Sequence, residues 1–255
     1  MEELYTTWKA IGTSGGDLSF FQDFFVKFYQ AFIESDRWLQ YLNGVKTTLL
    51  VTALALILGI VLGVLVAMLR TAHDQQRPGH RNPTLAVLNL ICKIYVTVIR
   101  GTPMMVQLLI MGFVIFASSR NFTMIGTLTL GINSGAYVSE IVRGGLMSVD
   151  KGQMEAGRSL GLNYMTTMRF IVIPQAIKAI LPALGNEFII LLKDTSLITV
   201  IGGKELLYAA HGIYNRTYEQ MFPLIGTAAL YLVLVIILSW LLGKLERRLR
   251  QSDRR

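Results

Sequence analysis

Apolar residues in this chain come in long blocks separated by short polar breaks. Residues 49–69 and 224–243 contain no charge. Each block is long enough to cross a hydrocarbon core of about 30 Å at about 1.5 Å per helical residue. Three further blocks are interrupted: 84–117 by Lys93, Arg100 and Pro103, 123–147 by Glu140 and Arg143, and 180–202 by Glu187, Lys193 and Asp194. The pattern predicts an all-α membrane protein with about five transmembrane helices. The first half of 84–117 is expected to lie at the interface and the second half, from Gly101, to cross. Ahead of the first span, Phe20, Phe21, Phe24, Phe25, Phe28 and Phe32 recur on one side of a helix over 18–33, with Gln22, Asp23, Lys27 and Gln30 mostly elsewhere. Such a helix lies on a membrane surface, either as a plain anchor or as a docking element.

Composition agrees with the blocks. The chain of 255 residues is 53% hydrophobic and 16% charged, against about 25% charged in soluble domains. Its net charge of +8 reflects basic loops and points to no nucleic acid. The first 17 residues are mostly polar or small, so no cleavable signal peptide is expected. The one cysteine, Cys92, allows no internal disulfide. His73, His80 and His211 have no metal-ligand spacing.

The basic residues fix a direction. Arg70, Arg77, Arg81 and Lys93 follow the first span; Lys151, Arg158, Arg169 and Lys178 follow the third; Lys244, Arg247, Arg248, Arg250, Arg254 and Arg255 follow the fifth. The two intervening loops are poorer in Lys and Arg. The positive-inside rule places the C-terminus and the loop around Glu155 in the cytoplasm, and five spans then place the N-terminus outside. The expected layout is an extracytoplasmic segment at 1–42, a transmembrane domain at 43–249 and a basic cytoplasmic tail at 250–255.

The cytoplasmic loop at 150–174 is polar and sharply broken. Asp150 or Ser148 can cap a short helix over 151–160, Gly161 suits a left-handed C-terminal position, and Asn163 can restart a helix that ends before Pro174. Ala156 and Gly157 leave a shallow face, and Glu155 supplies a charge beside it. The physics leaves open an ordinary amphipathic linker or a docking element.

The offsets Glu155, Ala156, Gly161, Ile171 and Pro174 resemble the EAA loop of bacterial ABC importer permeases, with Gly157 in place of a third Ala and Ile173 in place of Leu. Further segments are similar to the polar amino-acid uptake branch of that family: Arg100-Gly-Thr-Pro-Met-Met-Val-Gln107, Ala136-Tyr-Val-Ser-Glu-Ile-Val-Arg-Gly-Gly145, Ile173-Pro-Gln-Ala176 and Lys193-Asp-Thr-Ser-Leu197. The resemblance covers about residues 43–249. It implies a type I ABC importer fold in a multi-pass bacterial cell membrane protein. Its partners are then a second permease subunit, identical or paralogous, two ATPase subunits that meet coupling helices at Glu155, Ala156, Gly157, Gly161, Ile171 and Pro174, and an extracytoplasmic solute-binding protein. Cargo is then a polar amino acid. ATP and Mg belong to the ATPase, with no cofactor on this chain, which is a transport subunit and not an enzyme. The absence of a G-x4-G-K-[ST] phosphate loop agrees.

Ionisable residues inside a membrane cost about 2.5–3.5 kcal/mol and face partners or water. If the helix unwinds at Thr195 and Ser196, Asp194 can receive a substrate ammonium and Lys193 a carboxylate; alternatively both pair with other helices. Glu140 and Arg143, three apart, can pair with each other or line a path with Tyr137. Gln107 and Ser196 are neutral candidates for the same path, and Arg100 is expected near the cytoplasmic boundary. Gly59 and Gly63 permit close helix packing, in a motif common to apolar helices. A self-sufficient secondary transporter or channel is the competing class; no inverted repeat supports it.

Overall fold

The computed structural model describes residues 1–76 and 82–251, the side chains of Arg250 and Gln251 excepted. Arg77, His80 and Arg81, and all but the first two positions of the expected tail at 250–255, lie outside the described residues. Every element described is helical. An N-terminal pair, α1 (Glu2–Thr13) and α2 (Phe20–Phe32), precedes the long α3 (Arg37–Asp74). Then come α4 (Pro83–Gly101), α5 (Met104–Ile110) with a π-helical turn at Met111–Ile115, and α6 (Phe122–Met147). The short α7 (Lys151–Ser159) and α8 (Tyr164–Thr167) follow, then a second π turn at Met168–Val172. The chain ends with α9 (Ile173–Asp194), a 3₁₀ segment at Thr195–Ile201, α10 (Leu206–Thr217) and α11 (Met221–Gln251).

The bundle is organised by a seam of small residues between α3 and α6. Gly59 and Gly63 lie against Ser134 and Val138, so that a Cβ added at Gly63 would meet Val138 at 2.6 Å. Gly131 and Gly135 return the contact against Leu58 and Leu62. Hydrocarbon chains give no hydrophobic drive between helices, so close backbone approach and dispersion hold such a seam. The glycine pair with the least specific sequence signal is therefore the central packing element.

The order of contacts gives direction. Gly59 meets Ser134, Gly63 meets Val138 and Arg70 meets Glu140, so α3 and α6 run parallel. Ser134 meets Glu187 and Gly145 meets Ile180, so α9 runs the other way. Thr195 meets Tyr231 and Gly185 meets Leu242, so α11 reverses again. The C-terminal ends of α3, α6 and α11 share one end of the bundle with α7 and α8. The N-terminal pair sits at the opposite end.

Three expectations change. Among the described residues four helical stretches are long and apolar enough to cross a membrane, and Pro83–Gly101 is one of them. It is a continuous helix, opened by Asn82 and Pro83, whereas the stretch after Gly101 is short and carries the π turn. Lys93 and Arg100 did not break it because long cationic side chains leave the apolar surface without disturbing the backbone. Pro174 ends nothing either. Helical structure continues from Tyr164 to Ile201, because the π turn just before Pro174 skips a hydrogen bond that proline cannot donate. Finally, the phenylalanines of α2 split between two faces. Phe20, Phe21, Phe24 and Phe28 are exposed, while Phe25 meets Trp8 edge-on at 5.3 Å and Phe32 meets Tyr41 at 5.5 Å. That inner face packs on α1 through Phe25 and on α3 through Phe32, and α1 is a helix that the reading of the N-terminus as polar did not include.

Candidate functional site

Two regions carry the candidate residues. The first is the segment that leaves the bundle after α6. The Asp150 carboxylate accepts from the Gly152 amide at 2.6 Å and starts α7. At the other end Gly161 takes φ +80°; its amide donates to Arg158 O at 2.9 Å and that of Leu162 to Gly157 O at 3.0 Å. This paired closure needs a left-handed residue, which glycine adopts at no steric cost. Asn163 then accepts from the Thr166 amide at 2.8 Å and opens α8. A helix, a sharp reversal and a second helix follow from three local capping events.

Gly157 is buried, and its near neighbour is within the same chain: an added Cβ would meet Thr167 at 2.5 Å. Glu155 and Ala156 are exposed beside it, and Leu160 (79% exposed), Met165 and Phe170 (67%) form an apolar fringe. Ile171 is half-buried and Pro174 exposed. Gln175 donates to Gln153 at 3.2 Å, and the Tyr164 hydroxyl bonds the Gln75 side chain at the end of α3. The segment is thus tied at its edges to α9 and α3 while its apolar fringe stays uncovered.

The second region comprises the polar residues within the bundle. Arg100 stacks over the Tyr137 ring at 5.1 Å. Tyr137 lies ten residues from the C-terminal end of α6, about 15 Å, so Arg100 reaches mid-height of the bundle and not its basic end. Both residues are exposed in the single chain. Gln107 donates to Ile99 O at 2.8 Å and Thr102 Oγ1 at 2.8 Å, and accepts from Asn133 at 3.0 Å. It closes the break at Thr102 and Pro103, which removes much of its capacity for other partners.

Glu140 does pair with Arg143 at 3.7 Å, but its closer partner is Arg70 of α3. Arg143 also approaches Asp74 at 3.7 Å. The result is a cross-helix charge network at the same end of the bundle as α7. Neither Lys193 nor Asp194 has an ion-pair partner among the described residues; Lys193 is exposed and Asp194 half-buried. The helix does not unwind there, as was expected, but tightens into the 3₁₀ segment. Thr195 Oγ1 donates to Leu192 O at 2.7 Å and Ser196 Oγ to Lys193 O at 2.8 Å. The geometry joins Arg100 to Tyr137 and Gln107 to Asn133, with no bond from either pair to Lys193, Asp194 or Ser196. Sequence reasoning did not single out Asn133, the Arg70–Glu140 pair or the mid-height position of Arg100. An arginine within an apolar run, just before a Gly-Thr-Pro break, was the available signal for the last.

Comparison with known proteins gives a consistent result. The pattern of the family described as binding-protein-dependent transport system inner membrane component matches residues 85–251. A protein from Rickettsia typhi named putative glutamine transport system permease protein GlnP is 34% identical over 89% of this chain and 97% of its own length. The glutamine transport system permease protein GlnP of Escherichia coli K12 is 38% identical over 64% of this chain and 77% of its own. A crystal structure of an amino acid ABC transporter with histidines superimposes with TM-score 0.74 at 40% identity, over 82% of this chain and 94% of that one. An inward-facing MetNI methionine ABC transporter shares the fold, with TM-score 0.71 at 19% identity over 85% of this chain and 99% of its own.

Proposed function

This chain belongs to the family of binding-protein-dependent transport system inner membrane components, and on that premise we propose that it moves a polar amino acid, coupled through 150–174 to a separate ATPase. It is a multi-pass inner-membrane permease subunit of the amino-acid ABC importers. The observation that carries the coupling proposal is the uncovered helix–turn–helix at the basic end of the bundle, with Glu155 and Ala156 exposed beside the apolar fringe of Leu160 and Met165. An ATPase subunit that binds there and moves would pull on α6 directly and on α3 and α9 through Tyr164 and Gln153. A second permease copy or paralogue would complete the path, and an extracytoplasmic solute-binding protein would deliver cargo at the opposite end. ATP and Mg would sit on the ATPase.

Cargo recognition is assigned to polar residues with no ion-pair partner among the described residues. Lys193 and Asp194 offer opposite charges to the carboxylate and ammonium of a free amino acid, and Arg100 over Tyr137 offers a second anion contact at mid-height. The names of the relatives make glutamine the first cargo to test. Proteoliposomes holding the permease, its ATPase and its binding protein should accumulate labelled glutamine, or another polar amino acid, only with ATP inside and the binding protein outside. Accumulation by the permease alone without ATP would assign the chain to the self-sufficient transporters instead.

A further inference from the structure

Glu205 opens α10 at the end of the bundle away from the coupling segment, and its side chain is longer than that task requires. Its Oε1 accepts from the Tyr208 amide at 2.9 Å, the capping bond that starts the helix. Ser, Thr, Asp and Asn favour such a position, because a short side chain already reaches the amide. The extra methylene of glutamate carries the carboxylate inward. Glu205 is 1% exposed and has no ion-pair partner among the described residues. A carboxylate buried without a cation is costly unless donors surround it. Two further donors do so, each from a different element. Thr199 Oγ1, in the 3₁₀ segment, donates to Oε1, and the Tyr231 hydroxyl, on α11, donates to Oε2 at 2.6 Å.

These bonds converge on the stretch that carries Lys193 and Asp194. Those two residues end α9, and the 3₁₀ segment Thr195–Ile201 follows without a break. Glu205 holds that segment directly at Thr199. It also holds the segment's start through Tyr231, whose hydroxyl lies 3.4 Å from Thr195 Oγ1. In turn α10 is fixed to α3. The Leu206 amide donates to Thr48 Oγ1 at 3.2 Å, and a Cβ added at Gly44 would meet Leu206 Cα at 2.8 Å. Yet α10 can be reached from outside the bundle. Lys204 just ahead of it, and Tyr208, Asn215 and Arg216 on it, are exposed beside a polar cleft of about 310 Å³.

We propose that Glu205 is a positioning residue, which clamps the 3₁₀ segment to α10 so that Lys193 and Asp194 move as one body with α10. The use of the clamp rests on the proposed function: a binding protein that delivers cargo at this end and presses on α10 sets the two charges that receive it. Length is the property that matters, because the cap needs only Oε1 and the tie to α11 needs the reach of Oε2. Glu205→Asp would keep the cap and lose Tyr231. Glu205→Gln would keep both, since its amide nitrogen can donate to the Tyr231 oxygen.

Two measurements on the assembled transporter in proteoliposomes test this. A spin label at Val200→Cys, an exposed site of the 3₁₀ segment, in a Cys92→Ser background, reports how firmly the segment is held. Its mobility should rise in Glu205→Asp and in Tyr231→Phe and stay unchanged in Glu205→Gln. Uptake per assembled transporter, with ATP inside and binding protein outside, should fall about tenfold in Glu205→Asp and about fivefold in Tyr231→Phe, the worth of one hydrogen bond to a carboxylate. ATP hydrolysis without binding protein should hold in both, and Glu205→Gln should take up amino acid near the wild-type rate. A clamp acts as a unit, so the double variant should be no worse than Glu205→Asp alone. If Glu205→Asp does not assemble, Tyr231→Phe, which removes only a hydroxyl, decides alone. Unchanged label mobility in Tyr231→Phe, equal losses in Glu205→Asp and Glu205→Gln, or losses that only track the amount of assembled protein overturn the proposal. A label loosened by Tyr231→Phe in a transporter whose wild type accumulates no amino acid supports the clamp and refutes the proposed function instead.

Discussion

The coupling segment and the candidate path are built on opposite principles. Between residues 150 and 174 each structural event is local: Asp150 caps, Gly161 reverses and Asn163 caps again, all within four residues of what they act on. Within the bundle the deciding contacts join residues far apart in sequence. Examples are Arg70 with Glu140, Arg100 with Tyr137, and Asn133 with Gln107. A segment proposed as the grip of another subunit benefits from carrying its own shape. A path that must change shape with the bundle benefits from side chains on separate helices.

The largest effect expected is in the path. Asp194→Asn should abolish uptake while changing expression and assembly by less than about twofold, because it removes the charge and keeps the shape; a lost charged hydrogen bond is worth about 1.5–3 kcal/mol. Uptake assays beside membrane immunoblots check this, and a loss of protein equal to the loss of uptake would make Asp194 structural. Next comes the local half. Gly161→Val puts a β-branched side chain at φ +80°, a strain of about 1–3 kcal/mol. Uptake should fall about tenfold with the protein still inserted and ATP still hydrolysed. Normal transport in that variant would detach the turn from coupling.

A smaller effect separates Glu140 from the path. Glu140→Gln should lower stability by about 1–2 kcal/mol, less than for a fully buried pair because its side chain is 34% exposed. Thermal unfolding in detergent would record it, and uptake per folded molecule should hold. A specific loss of uptake would return Glu140 to the cargo contacts. The smallest effect lies outside both regions. Hydrogen bonds to Glu34 and Tyr5 hold the Lys9 ammonium above its ordinary pKa, against the opposing effect of burial. That pairing is therefore fully present below about pH 10 and lost as pH rises through the folded value. Amide exchange in α1 should quicken at the alkaline end while 150–174 stays unchanged.

This contrast also explains what could be read before folding. The caps at Asp150 and Asn163 and the turn at Gly161 were legible because they depend on neighbours in sequence. The blocks 49–69 and 224–243 were legible because a hydrocarbon core imposes their length. Glu140 was left between a pair with Arg143, three residues away, and the path beside Tyr137, because α3 and α6 could not be known to run side by side with Arg70 facing it. Arg100 was placed at a membrane boundary because basic residues usually sit there, and only the stacked Tyr137 shows otherwise. Gly59 and Gly63 had too common a spacing to be singled out, although they form the seam on which α3 and α6 meet. For α1, Leu4, Tyr5, Trp8 and Ile11 recur at helical spacing and supply the surface that meets α2, a stripe passed over when the first 17 residues were read as polar or small.

The central claim is that the ATPase grips the 150–174 segment. Its most direct measurement is site-specific cross-linking in the assembled transporter, with Cys92→Ser removing the native thiol and Glu155→Cys carrying a short photoactivated probe. The account predicts a cross-link from Glu155→Cys to the ATPase subunit whose yield changes on adding ATP, and none from a control probe at Trp240→Cys, on the exposed flank of α11. A transporter that takes up amino acid normally, yet gives no ATPase cross-link from position 155, would contradict it.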